Sequence, residues 1–597
     1  METSQQLQNR LRDEAYARDH FLGGRVLDLS MHWILSHIDC FVRLSRANKS
    51  VENVRIYPYD LEQYSDEVLD RVGQAVGNLQ ALEELKISNH NSHNNHEESG
   101  FPIPDWERLP RILSHMRQNV KVTVYNGESD TDLWSVGEVH GIARAIRGHP
   151  TITSFVCEDT LPQEASDILY SALATLPALE SIRISSPPEG ETTLANRESL
   201  TDLLRAPSLR SVCFSEFYFT SALCQAAANA LVEGTAITNL DFGEDFGECC
   251  SFPTRECAAV MANGLSRNTS VISVTVKSKV GGALFDVLTA ALPLNSTLQE
   301  LSFGLVRSGF GPGAQMVWSP IFLALGRNTG LKFLTVDNYY YGSMDESLCT
   351  AMQNGLGTND TLERLEFKRA CLCDDTAGMW CRAFCFLRIN KALKSLVVQV
   401  RRDVTEVSLS AFRIGIVSML EENASLESLS IRHDSSYAIG VEVYIELVTM
   451  LQHNTALKKL ELSCDCDKIL QLTSEEDKLI AKSLQKNYVL ESLPNIINRP
   501  GDVRTILRLN AAGRRYLIEN GSSVSKGVEV LSRVNNDINC VFLHLLENPR
   551  LCDRSAVEVA SDSIEKIRGS VNPANHNGKR EQGRALEDGK ESRRRRT

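Results

Sequence analysis

One phrase returns along this chain, and it constrains the fold more than any other feature. Asn268-Thr-Ser-Val-Ile-Ser-Val-Thr-Val276 is followed by Asn295-Ser-Thr-Leu-Gln-Glu-Leu-Ser-Phe303, Asn328-Thr-Gly-Leu-Lys-Phe-Leu-Thr-Val336 and Asn359-Asp-Thr-Leu-Glu-Arg-Leu-Glu-Phe367. It recurs from Asn390, Asn423, Asn454 and Asn487, giving eight consecutive copies of N-x-x-h-x-x-h with h apolar, nearly all continuing x-h. The first apolar residue after each Asn marks a register: Val271, Leu298, Leu331, Leu362, Leu393, Leu426, Leu457 and Leu490. Upstream, Ile237, Leu209, Leu179, Ile152, a degenerate Asn119, Leu82 and Val51 continue it, in steps of 27 to 37 residues. Val26-Leu27-Asp28-Leu29 lies one step earlier and reads as a capping strand. A period of this size is the mark of a solenoid, in which each unit buries its apolar face only against its neighbours.

The letters have physical readings. The last two apolar positions of each phrase are two apart, so they share one face of a short strand. Leu301 and Phe303, or Leu365 and Phe367, are expected inside, with Glu300, Ser302, Arg364 and Glu366 outside. Six residues before each register stands another apolar residue (Leu203, Leu231, Leu265 and so on to Leu484), ending a stretch of helical spacing such as Ile416, Met419 and Leu420. The Asn three residues later is expected to stop the helix in the left-handed conformation, a task Gly234 shares. Each repeat is thus one strand and one helix. Each inward Leu or Phe contributes roughly 1.5–3 kcal/mol once a neighbour covers it.

The pattern resembles the ribonuclease-inhibitor-like leucine-rich-repeat family over roughly residues 24–495. That resemblance implies a horseshoe with parallel strands inside and helices outside, used as an interaction surface. Repeat lengths here vary more than in the strictest members, and the polar Asn or Cys after the strand is often missing. The expected organisation is an N-terminal helix and cap over 1–50, the solenoid over 51–495, a helical C-terminal cap over 496–569 and a basic tail over 570–597. The cap follows from amphipathic spacing at Val503, Ile506 and Leu507, at Val524, Val528 and Leu531, and at Ile538, Val541, Phe542 and Leu545. The segments Leu509–Asn520 and Cys540–Cys552 resemble the end block of leucine-rich-repeat proteins of unicellular algae. The tail holds eight Lys or Arg against four acids and ends in Arg593-Arg594-Arg595-Arg596, which reads as a solvated segment or a nuclear-import signal.

The net charge of −13 argues against a nucleic-acid partner, because such binding rests on clustered cations. No apolar run of membrane-spanning length and no apolar leader follows Met1, so the chain is expected in the cytoplasm or nucleus, away from membranes. There the sixteen cysteines are expected to be reduced and mostly buried, and the triplets of glycosylation type, as at Asn268 and Asn295, are cap and turn. Cys371, Cys373, Cys381 and Cys385 have poor zinc spacing, and His90, His93 and His96 sit in an Asn-rich run with nothing to preorganise them. No metal or other cofactor is expected. No phosphate loop, nucleophile elbow or H-E-x-x-H pair is present, so the chain is read as a non-enzyme.

Binding is expected on the concave face, whose outward strand residues include Asp241, Glu300, Phe333, Arg364 and Glu366, with charges of both signs alternating. Tyr339, Tyr340 and Tyr341 form a strand-exit rim of interface type. The favoured function is a protein-binding scaffold or adaptor. A small-GTPase regulator and the substrate-recognition subunit of a ubiquitin ligase are the alternatives; the basic tail speaks against the first, and the short segment before the repeats against the second.

Overall fold

The computed structural model describes residues 26–28, a few residues between 39 and 46, 51–88, 106–125, 134–185, 194–243, 254–276, 282–305, 318–338, 346–370, 377–401, 406–433, 447–464, 473–493, 502–514, 524–534 and 537–548, apart from scattered positions within these ranges. The chain forms two compact units, residues 1–412 and 413–597.

In the first unit every expected register delivers a strand. These are β1 (Val26–Asp28), β2 (Asn53–Ile56), β3 (Glu84–Ser88), β4 (Val120–Tyr125), β5 (Ile152–Cys157), β6 (Ser181–Ser185), β7 (Ser211–Ser215), β8 (Asn239–Phe242), β9 (Ser273–Val276), β10 (Glu300–Leu305), β11 (Phe333–Asn338), β12 (Arg364–Ala370) and β13 (Ser395–Val400). They pair in parallel and in chain order, each return being made mostly by a helix such as Ser221–Glu233 or Arg255–Arg267. This is an α/β repeat solenoid of leucine-rich-repeat type. Its inner rows are in register: Leu240 pairs with Val274, Leu301 with Leu334, and Leu334 with Leu365, all buried. Asn119 is degenerate because Val120 takes the buried place, and the β4–β5 pairing slips by one residue there.

The second unit contains β14 (Ser428–His433) and β15 (Lys459–Cys464), paired in parallel. The fifteenth register, Leu490, gives only a bridge from Ser492 to Lys459. Helices at Asp502–Ala512, Val524–Val534 and Ile538–Glu547 follow and pack on one another. In the last helix Val541, one of the residues its spacing indicates, packs against a cluster of Leu509, Ala512, Val530, Val534 and Cys540. Cys540 and His544 are fully buried, whereas Val541 and Leu545 are half-buried.

The repeated Asn does not act as expected. Asn268 and Asn454 have φ near −70° and extended ψ, and among the described residues Arg369 alone of the non-glycines has positive φ. The side chain makes the turn instead. Oδ1 of Asn328 accepts from the N–H groups of Gly330 and Leu331 at 3.0 and 2.7 Å. Its Nδ2 donates backwards to Leu292 O at 2.7 Å and Asn295 O at 2.8 Å, both in the preceding repeat. Asn295, Asn359, Asn390, Asn454 and Asn487 repeat this scheme, and all are at least 95% buried. A buried carboxamide thus satisfies backbone groups of two repeats that would otherwise lie unpaired. Asn510, on the helix after the last repeat, continues the series by donating to Asn487 O and Leu490 O at 2.9 and 2.8 Å.

Candidate protein-binding face

Alternation places the residues between the apolar ones on the other side of the sheet, and strand pairing lines them up. One row runs Asn53, Glu84, Lys121, Ser154, Ser181 and Ser211, then Asn239, Ser273, Glu300, Phe333, Arg364 and Ser395. The next row runs Arg55, Lys86, Thr123, Val156, Arg183 and Cys213, then Asp241, Thr275, Ser302, Thr335, Glu366 and Val397. Five of the expected residues therefore stand together: Asp241, Glu300, Phe333, Arg364 and Glu366 fall in two adjacent rows across β8–β12. Tyr339, Tyr340 and Tyr341 lie outside the described residues.

The expectation of alternating charge does not hold once register is known. Arg55, Lys86, Lys121 and Arg183 lie on β2–β6, where Glu84 is the one carboxylate of the two rows, while Asp241, Glu300 and Glu366 lie on β8–β12, where Arg364 is the one cation of the two rows. Lys121 escaped the sequence reading because the degenerate Asn119 hid which residues of β4 face outward; the alternation of Val120, Val122 and Val124 was the available signal.

Glu84 is the electrostatic centre of the basic half. Lys121 Nζ is 2.7 Å from it, Lys86 Nζ 3.6 Å, and Thr123 donates to it at 2.7 Å. Burial works to raise its pKa, but these donors and cations outweigh that and hold the carboxyl below its usual value. In the acidic half Arg364 meets Glu366 on the same strand at 3.3 Å. Between Glu300 and Arg364 stands Phe333, 39% exposed, an aromatic in a row otherwise polar or charged. A solvent-facing Phe flanked by charges is the composition of an interface anchor rather than of a core.

The edge of this face is built with care. At the end of β11, Asp337 receives a two-pronged ion pair from Arg369, with Nε–Oδ1 at 2.8 Å and a terminal nitrogen to Oδ2 at 2.5 Å. Arg369 reaches it from a bulge in β12, where the pairing shifts between Phe367 and Ala370 and Arg369 takes φ 56°. Such a backbone is strained for a long side chain, and a bulge re-aims the residue that carries it. The ion pair thereby fixes the chain two residues before Tyr339.

The metal candidates divide in the same way. Cys371, Cys373, His90, His93 and His96 lie outside the described residues, whereas Cys381 and Cys385 are half-buried and free. Among the described residues no group of three or more His, Cys, Asp or Glu is placed to hold a metal ion. Cys157, Cys213, Cys224, Cys257, Cys349 and Cys540 are buried. Also among the described residues, no helix is long and apolar enough to cross a membrane.

No protein-family model matches this chain, and no curated protein matches it. Solved structures do. One is leiomodin-1 actin-binding site 2, similar over 24% of this chain and 73% of that one, with 18% identity and a TM-score of 0.18.

Proposed function

We propose that this chain is a non-catalytic scaffold or adaptor that holds a protein on the helix-free face of its sheet. Repeats of 27 to 37 residues with a helix between successive strands support the ribonuclease-inhibitor-like class within the leucine-rich-repeat solenoids. The observation that carries the reading is the aligned polar face of β2–β13 with Phe333 standing out from its middle. A rigid row of side chains costs little entropy to order, and an aromatic among polar neighbours supplies the apolar contact that polar rims lack. The tyrosines at 339–341 would extend the same surface beyond Asp337.

Replacing Phe333, Arg364 and Glu366 together by Ser tests the reading. Partner capture is expected to fall by at least about tenfold, while the melting temperature moves by no more than about 2 °C, because none of the three lies in the core. Replacing Tyr339, Tyr340 and Tyr341 by Ser is expected to weaken the same capture. Undiminished capture by the triple-Ser face variant would show that binding lies elsewhere.

A further inference from the structure

Two thiols on neighbouring helices carry an inference independent of the sheet face. The helices Ser221–Glu233 and Arg255–Arg267 return the chain in consecutive repeats and pack against each other. Their approach is close: a Cβ on Gly264 would stand 2.7 Å from Ala228 Cα. Small residues at a contact bring helix axes together, and with them the side chains on either side of the seam. Ala228 and Gly264 are 36 residues apart, as are Ser221 and Cys257, whose Oγ and Sγ lie 3.3 Å apart at the N-terminal end of the same seam. Cys224, one turn along from Ser221, is in hydrogen-bond contact with Cys257 there. Both cysteines are buried and both are free thiols.

The two sulfurs differ in their surroundings. Cys257 is the third residue of its helix, and the capping Thr254 both accepts from its N–H at 3.2 Å and donates to its Sγ at 3.3 Å. Burial works to raise the Cys257 pKa, but the hydrogen bonds from Ser221, Thr254 and Cys224 outweigh it and hold the thiol below its ordinary value. The positive end of the helix dipole acts in the same direction. At Cys224 burial pushes the thiol up, and Cys257 beside it adds to the rise. Other buried thiols donate to carbonyls, Cys349 to Met379 O at 3.3 Å and Cys540 to Thr505 O at 3.5 Å, which favours the protonated form. Ser221 and Thr254 are themselves exposed, so Cys257 lies one side chain beneath the surface. An acidic thiol near the surface, with a second thiol against it, has an attacking and a resolving sulfur in place.

We propose that Cys257 and Cys224 form a reversible cross-link between two consecutive repeats, closed by a hydroperoxide. The Cys257 thiolate attacks one peroxide oxygen and the O–O bond breaks. The second oxygen takes up a proton and leaves as water or an alcohol, and Cys257 becomes a sulfenic acid. The Cys224 sulfur then attacks the Cys257 sulfur, its proton departs with the displaced hydroxyl as water, and the S–S bond closes. The two sulfurs lose two electrons and the O–O bond gains them; a small thiol reverses the step by exchange. The C-terminal ends of these helices are already tied, because Asn268 Nδ2 donates to Leu231 O at 2.7 Å. The cross-link fastens the opposite ends.

Hydrogen peroxide added to the reduced full-length chain, followed by alkylation and peptide mass spectrometry, tests the proposal. The expected product is a Cys224–Cys257 disulfide, formed at least about tenfold faster than Cys540 is oxidised. Cys224→Ser is expected to stop at a Cys257 sulfenic acid that dimedone traps, and Cys257→Ser to leave Cys224 reduced. Ser221→Ala removes one hydrogen bond, leaves the Thr254 cap intact, and is expected to slow the first step about threefold. Each variant is expected to melt within about 5 °C of the parent, and Cys224→Ala replaces Cys224→Ser if the hydroxyl unfolds the seam. Oxidation of Cys257 no faster than that of Cys540, or a disulfide from either thiol to a different cysteine, overturns the proposal. So does a folded Cys224 variant in which dimedone finds no sulfenic acid at Cys257.

Discussion

The repeats that open the first unit and those that close it make the same turn by different means. From β9 to β13 a buried Asn occupies the position three residues before each register, and its carboxamide ties each repeat to the one before. In the repeats of β3 to β8 that position holds Leu79, Met116, His149, Leu176, Ala206 and Gly234. The carbonyl six residues before the register nonetheless attracts a side-chain donor in the repeats of β3 and β4. His149 Nε2 lies 2.8 Å from Leu113 O, and Gln118 Nε2 donates to Leu79 O at 3.0 Å and more weakly to Val76 O. Gly234 instead turns through the left-handed conformation, with φ 89°. The demand is set by the fold: a tight entry into a parallel strand leaves backbone groups buried, and something must pair them. Asn is one residue that answers it completely; the early repeats assemble partial answers.

Breaking the Asn series should therefore have the largest effect. Asn328→Leu removes four hydrogen bonds to backbone groups, three of them buried, and is expected to cost at least about 3 kcal/mol in urea unfolding, given about 1–3 kcal/mol for each buried group left unpaired. A loss below about 1 kcal/mol would mean that the turn, not the side chain, carries the stability. At Gly234 the issue is backbone conformation, and Gly234→Ala is expected to cost about 1–2 kcal/mol, with Gly234→Asn milder. His149→Asn sharpens the comparison from the other side: if His149 stands in for the missing carboxamide, this change should stay within about 1 kcal/mol of the parent, whereas His149→Leu should not.

Acid separates the Asn series from the helices that follow it. Carboxamides do not titrate between pH 5 and 8, but burial holds the His544 ring below its ordinary value near 6.5. The unfolded chain then binds the proton more readily, so the stability of the 502–547 helices should be full above about pH 6.5 and fall as pH drops below it. Hydrogen exchange resolved by segment should show faster opening of those helices at pH 5.5 than at 7.5, with the 268–400 repeats changing less; His544→Gln should remove the difference. The smallest effect is expected at Lys394, whose exposed ion pair with Glu363 (3.2 Å) should be worth under about 0.5 kcal/mol by Lys394→Ala.

The same contrast explains what could be read in advance. The eight Asn phrases made the strands of β9–β15 plain, and apolar spacing alone was enough to carry the register back to Val51. The conformation of the Asn was misjudged because Asn is favoured both at left-handed caps and in turns closed by its own Oδ1; residue identity does not separate the two. The burial of Cys540 and His544 in the last helix was not legible, because a pattern search counts them as a thiol and a titratable ring, yet both are buried here. Of the site, the outward places of Asp241, Glu300, Phe333, Arg364 and Glu366 followed from period-two alternation. The sorting of charge did not, since it is a property of strands laid side by side and no single repeat contains it.

The claim that binding occurs on the sheet face, and not on the helices behind it, is most directly tested by site-specific photo-cross-linking in cells. A photoreactive side chain at Thr335, on the outward row beside Phe333, should yield a discrete protein adduct. The same group at Thr350, exposed on the helix Glu346–Thr358, should yield none. Adducts from Thr350 and none from Thr335 would contradict the account.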